Sequence, residues 1–320
     1  MEIVSLKPTL KDTIWGGTRL MREYGFETKQ DNIAEAWLLS AHPDGPSYVE
    51  SGKYAGLTLA QALEAEGHGI LGTNNTDKPG FPILIKLIDA SKKLSVQVHP
   101  GDEYARRVEH ENGKTEAWFI LDANEDAELV YGLGTDVTRE AFARSIEEKK
   151  IESILNFVPV KSGDVVFIPS GMLHAIGAGI FLAEVQQSSN TTYRVYDYDR
   201  PDKDGKPREL HVEKAKDVVD LTVPNVDFAP VGRKEKFENA EMTYLTGCEF
   251  FKMYHLNVNG VFSEVADETS FVSLLVLSGE GTVECGEEKL ALKKGSSIFI
   301  PADKGAFTLK GNLDILETRT

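Results

Sequence analysis

The stretch S-G-D-V-V-F-I-P-S-G-M-L-H, Ser162–His174, has a second copy in the chain, K-G-S-S-I-F-I-P-A-D-K-G-A at Lys294–Ala306. Both read G-x-x-x-F-I-P: a glycine turn, a short apolar strand and a proline that ends it. A repeated unit of this kind implies duplicated β modules. Five residues past the proline, the first copy carries His174 and the second Ala306. The second copy therefore reads as a duplicate without a metal site, and the chemistry falls to the first. Short strands, glycine turns and no parallel β-α-β rhythm predict a mainly β fold of two jelly-roll β-sandwich modules with a few inserted helices. The expected division is residues 1–235, catalytic, and 236–320, structural.

Upstream of the first copy lies K-L-S-V-Q-V-H-P, Lys93–Pro100, which reads as a buried strand broken by Pro100. Alternate residues of a strand share a face. Ser95, Gln97 and His99 therefore point one way, and Leu94, Val96 and Val98 the other. An unpartnered buried polar group costs roughly 1–3 kcal/mol. That face therefore either pairs locally or lines a cavity that binds something.

The segment Phe81–Asp89 is apolar except for Lys86 and so reads as a buried strand. Lys86 either snorkels to a strand end or lines a pocket as a cation. Ile33–Ser40 and Gly113–Leu121 read as strands, and the turn after Ile33–Ser40 places His42 in solvent. Helices are expected at Thr58–Leu71, with Thr58 and Gln61 as a capping box, and at Asp102–Asn112, capped by Asp102. Two more are expected at Thr138–Lys149, capped by Thr138, and at Val212–Leu221. Asp199–Arg208 reads as an exposed loop. Trp15, Trp37 and Trp118 are read as core; His211 and His255 have no evident partner.

The hydrophobic fraction of 41% supplies a full core. Two cysteines, Cys248 and Cys285, make no disulfide framework and fit a reducing compartment. Neither a signal peptide nor a membrane-spanning run is apparent, so a cytoplasmic protein is expected. The net charge of -16 argues against nucleic acid and anionic membrane as partners. It leaves room for a small anion held by a few converging lysines and arginines.

Gln97, His99, Glu116 and His174 form a mixed nitrogen and oxygen set suited to Zn²⁺, Fe²⁺ or another borderline divalent ion. S-V-Q-V-H-P at Ser95–Pro100, G-K-T-E-A-W at Gly113–Trp118 and P-S-G-M-L-H-A-I at Pro169–Ile176 carry a resemblance. So do E-V-Q-Q-S-S-N-T-T-Y-R at Glu184–Arg194, W-G-G at Trp15–Gly17 and E-A-W-L-L-S-A-H-P at Glu35–Pro43. Together they resemble the type I mannose-6-phosphate isomerases (phosphomannose isomerases) of the cupin superfamily, in their shorter bacterial form.

The resemblance implies one Zn²⁺ per chain on Gln97, His99, Glu116 and His174. It implies Arg194 and Glu184 as catalytic residues, and Lys86, Ser95 and Lys114 as contacts to a sugar-phosphate substrate. The implied reaction interconverts mannose 6-phosphate and fructose 6-phosphate through a cis-enediol, with the chain acting as a monomer. Glu184 is the expected base, its pKa raised by desolvation, or else a partner that neutralises a neighbouring lysine or arginine. An Fe(II) cupin oxygenase and a non-catalytic sugar-phosphate-binding cupin stand as alternatives.

Overall fold

The strand Ile83–Ala90 is apolar at nearly every position because both of its faces are covered. In the computed structural model, which describes residues 1–202 and 204–320, it lies inside a six-stranded sheet. The order is Val165–Ile168, Glu116–Ala123, Ile180–Gln187, Ile83–Ala90, Glu35–Leu39 and Thr9–Lys11. Side chains alternate between the faces. Ile83, Ile85 and Leu87 pack with Leu275, Phe299 and Leu316 of the C-terminal module. Ile88 and Ala90 pack on the opposite face with Trp118, Leu129, Tyr131 and Leu182. Each such side chain, fully buried, contributes about 1.5–3 kcal/mol.

The layer covering that second face is a five-stranded sheet: Tyr193–Tyr196, Val96–Val98, His174–Ala175, Glu128–Leu133 and Leu155–Pro159. On the first face lies a nine-stranded antiparallel sheet built mainly from Ala240–Gly247, Lys252–Ala266, Val272–Cys285, Ser297–Ile300 and Gly305–Arg319. Lys234–Lys236, Glu288–Lys293 and two strands from the first fifty residues complete it. Val4–Lys7 pairs with Ser297–Ile300, with Val4 opposite Phe299, and Tyr48–Val49 pairs with Val4–Lys7. The fold is mainly β and jelly-roll-like, as the sequence implies.

The internal repeat is structural. Gly163 (φ 91°) and Gly295 (φ 86°) occupy matching left-handed turns, which favour glycine. Each turn feeds a four-residue strand, Val165–Ile168 or Ser297–Ile300. Beyond the prolines the copies diverge. His174 is buried on its strand, whereas Ala306 is exposed on Gly305–Arg319.

Thr58 and Gln61 form the expected capping box on the helix Leu59–Glu66. That helix stops at Gly67 (φ 87°), short of the expected Leu71, and a 3-10 turn follows. Thr138 caps Arg139–Glu147 through Ala141 N. The helix Asp102–Val108 differs from expectation, since Gly101 holds the cap position. The Asp102 carboxylate is drawn elsewhere: it accepts from Gly113 N (2.8 Å) and Gln187 Nε2 (2.9 Å). The expected loop Asp199–Arg208 includes Lys203, which lies outside the described residues.

Candidate metal centre and its cavity

Both facing sheets supply the site. Gln97 and His174 are cross-strand neighbours in the five-stranded sheet, and His99 follows Val96–Val98. Glu116 opens its strand on the six-stranded sheet. His99 Nε2 stands 3.5 Å from Glu116 Oε2, and His174 Nε2 stands 3.3 Å from Glu116 Oε1. One donor atom from each of these buried residues falls within 4.8 Å of the others.

The surroundings fix the imidazoles. His99 Nδ1 lies 2.9 Å from the Thr191 carbonyl and His174 Nδ1 lies 2.9 Å from the Met172 carbonyl. A carbonyl only accepts, so each Nδ1 carries the proton and each Nε2 presents a lone pair to the cluster. Burial pushes both histidines below the usual imidazole pKa. The Lys114 ammonium adds to this at His99, while the Glu116 carboxylate opposes it at His174. Both rings are therefore neutral at physiological pH.

Neither Glu116 oxygen accepts a hydrogen bond of good geometry, although both are buried. A cation already rests on the set: Lys114 Nζ is 2.9 Å from Glu116 Oε2 and 3.1 Å from His99 Nε2. The Gln97 amide nitrogen is 3.4 Å from His174 Nε2, and turning the amide over puts its oxygen there. Two imidazole lone pairs, a carboxylate whose present cation is a single lysine and an amide oxygen fit a divalent metal ion with mixed nitrogen and oxygen preference.

Gln97 and Lys114, which touch this cluster, also line a cavity of about 500 Å³, together with Lys86, Ser95, Glu184 and Arg194 among others. All nine residues singled out from the sequence thus converge on the cluster or the cavity. Lys86 does not snorkel. It is buried, with Nζ 2.9 Å from Glu184 Oε1 and 3.6 Å from Glu35 Oε2. Trp118 Nε1 donates to Glu184 Oε2 at 3.0 Å. Burial alone would raise the Glu184 pKa, but Lys86 and Lys114 together with these hydrogen bonds outweigh it, and the carboxyl lies below its ordinary value. That direction is opposite to the one expected from desolvation.

Arg194 is partly buried and bonded to neutral partners, Ser95 Oγ at 3.2 Å and the Glu209 carbonyl at 2.9 Å. A larger, more open groove of about 790 Å³ on the C-terminal module shares no lining residue with this cavity.

Several site residues escaped the sequence reading. Asn190, Thr192 and Arg208 also line the cavity. Arg208 is held by Asp197, which takes Arg200 as well, each at 2.6 Å. His42, expected in solvent, is buried: its Nδ1 accepts from Asp44 N and its Nε2 lies 3.2 Å from Glu111 Oε1. No local pattern marks these contacts. Only the H-P-D-G turn, with a donor two residues past the histidine, hinted at the Asp44 bond.

Residues 3–144 match the family model "Phosphomannose isomerase type I, catalytic domain", and residues 240–319 match "Mannose-6-phosphate isomerase, cupin domain". Mannose-6-phosphate isomerase ManA of Bacillus subtilis is 40% identical over 97% of this chain and 96% of its own length. The chain belongs to the type I phosphomannose isomerase family. A second member, the mannose-6-phosphate isomerase of Streptococcus mutans, is 37% identical over 100% of this chain and 98% of its own. The crystal structure of mannose 6-phosphate isomerase from B. subtilis superposes with a TM-score of 0.91 at 37% identity, covering 99% of each chain. Family membership agrees with the cluster of His99, Glu116 and His174 as a metal site. Among the described residues, no helix is long and apolar enough to cross a membrane.

Proposed function

We propose that this protein is a zinc-dependent aldose–ketose isomerase that interconverts mannose 6-phosphate and fructose 6-phosphate through a cis-enediol. One observation carries the reading. A buried, neutral pair of imidazoles with a buried carboxylate lies against Gln97 and Lys114, which line a cavity that also holds Arg194 and a Glu184 paired with Lys86. Gln97, His99, Glu116 and His174 would hold the ion. Bound there, Zn²⁺ supplies Lewis-acid polarisation of sugar carbonyl and hydroxyl oxygens.

The chain's own residues do the rest. Glu184 is the base that moves the proton between C1 and C2. Lys86 and Trp118 keep its carboxylate ionised at neutral pH and fix its direction. Arg194 stays charged at every working pH and donates to oxygens where negative charge develops. Its bond to Ser95 aims the guanidinium across the cavity. Lys86, Ser95 and Lys114 contact the sugar hydroxyls or the phosphate. The catalytic part in this reading is residues 1–235. The 236–320 module is structural and contributes none of these residues.

Both cysteines are unpaired, which supports a reducing cytoplasmic setting. A coupled assay of mannose 6-phosphate conversion tests the proposal on chelator-stripped protein before and after Zn²⁺ is restored. Activity that vanishes and returns is expected. Tight metal binding with no turnover of any hexose phosphate would overturn it.

A further inference from the structure

The carboxylate of Glu111 does not line the cavity, yet two distant segments of chain meet on it. His42 Nε2 lies 3.2 Å away. From the loop after Ile180–Gln187, Ser189 Oγ donates at 3.1 Å, Asn190 N at 3.2 Å and Thr191 Oγ1 at 2.9 Å. His42 needs no charge for its part. Its Nδ1 accepts from Asp44 N, so the proton sits on Nε2 and is donated to Glu111. The same loop is tied a second time, by Asn190 Nδ2 to Asp44 Oδ2 at 2.8 Å.

The loop matters because of its other polar atom. The Thr191 carbonyl accepts from His99 Nδ1 at 2.9 Å, and this bond, together with the Lys114 ammonium 3.1 Å from Nε2, keeps the proton on Nδ1 and the Nε2 lone pair toward Glu116. A free loop could turn that carbonyl away. His99 would then be able to place its proton on Nε2, and a protonated nitrogen cannot ligate a metal. Glu111 thus stands one residue's hydrogen bonds away from a metal-binding atom, without touching cavity or metal.

We infer that Glu111 is a positioning residue for the metal centre: it clamps Ser189–Thr191 so that the Thr191 carbonyl holds His99 in the metal-ready tautomer. The inference rests on the metal reading proposed above. Groups that orient a ligating histidine typically change metal affinity by about 10–100-fold when removed.

The test is the Zn²⁺ dissociation constant, measured by chelator competition, with the visible spectrum of the Co²⁺-substituted protein as a second readout. Glu111→Ala is expected to bind Zn²⁺ about 10–100-fold more weakly. Glu111→Gln keeps the shape but turns an amide NH₂ toward the donors, and Thr191→Val deletes one donor while leaving the carbonyl. Both should weaken binding by less, in the same direction, with an altered Co²⁺ spectrum. Where the alanine variant fails to fold, these two decide. Unchanged affinity and spectrum in Glu111→Gln and Thr191→Val, even with lower melting temperatures, would overturn the inference and leave Glu111 a staple of the fold. Wild-type protein that binds neither ion would instead overturn the metal reading itself.

Discussion

Lys86 and Glu184 stand directly opposite each other on adjacent antiparallel strands, their charged ends 2.9 Å apart and almost wholly buried. A buried pair of this kind is weak evidence for stability, because desolvating two charges offsets most of their attraction. Its significance is chemical, since it places an ionised carboxylate inside a cavity.

Breaking that pair should be expensive. Lys86→Met or Glu184→Gln alone leaves a buried group without its partner and should cost about 3–5 kcal/mol, read from urea unfolding. The double change Lys86→Met with Glu184→Leu should recover most of this loss while abolishing turnover. A double variant as unstable as the sum of the singles would count against a compensated pair.

His174→Ala removes one of the two neutral imidazole lone pairs of the cluster and should eliminate both bound metal and activity, checked by elemental analysis and the coupled assay. In wild-type protein, chelator should lower Tm and Zn²⁺ should restore it. Free metal at a hundred times its Kd stabilises by about 2.7 kcal/mol.

Arg194→Ala should leave metal content intact and reduce kcat/KM by roughly 10²–10³-fold, the usual effect of deleting a donor aimed at developing charge. Arg194→Lys should not rescue it. One ammonium cannot span Ser95 Oγ and the Glu209 carbonyl as the guanidinium does. Loss of metal in either variant would give Arg194 a different role.

In the C-terminal module, Glu264 and Glu317 share Arg319, at 2.8 and 2.7 Å, while the outer oxygen of each ionised carboxylate is buried with no donor. Burial first, and then the charge and hydrogen bond of Glu317, push the Glu264 carboxyl up to about 8. An unfolded glutamate titrates near ~4.3. Between those values the folded chain binds the extra proton, so this group's contribution is fully present below the lower value and lost as pH rises through the upper one. Glu264→Gln should therefore flatten the decline of Tm from pH 5 to pH 9. A profile unchanged from wild type would show that Glu264 ionises normally.

Much of this was legible in the chain because it is local. The alternating polar face of Ser95, Gln97 and His99, the Thr58 and Thr138 caps and the G-x-x-x-F-I-P repeat each depend on residues within a few positions of one another. The resemblance then gathered Lys86, Lys114, Glu116, His174, Glu184 and Arg194, which the structure brings to one place. What was misread depends on competition between distant groups. Desolvation at Glu184 was foreseeable, but the opposing Lys86 is 98 positions away and its register is set only by the sheet. His42 and Asp102 were misplaced for the same reason, drawn to Glu111 and to Gly113 and Gln187.

The strand Val4–Lys7 is translated about 290 residues ahead of its hydrogen-bonding neighbour Ser297–Ile300. At about 5–20 residues per second, translation keeps that edge waiting for some tens of seconds. Throughout this interval the strand can pair with Tyr48–Val49 on one side only, and its other backbone edge stays open to holdase capture or to pairing with another nascent chain. That edge can close only after Ser297–Ile300 has been synthesised. Truncation before Ser297 should therefore release a product that aggregates through the open edge of Val4–Lys7.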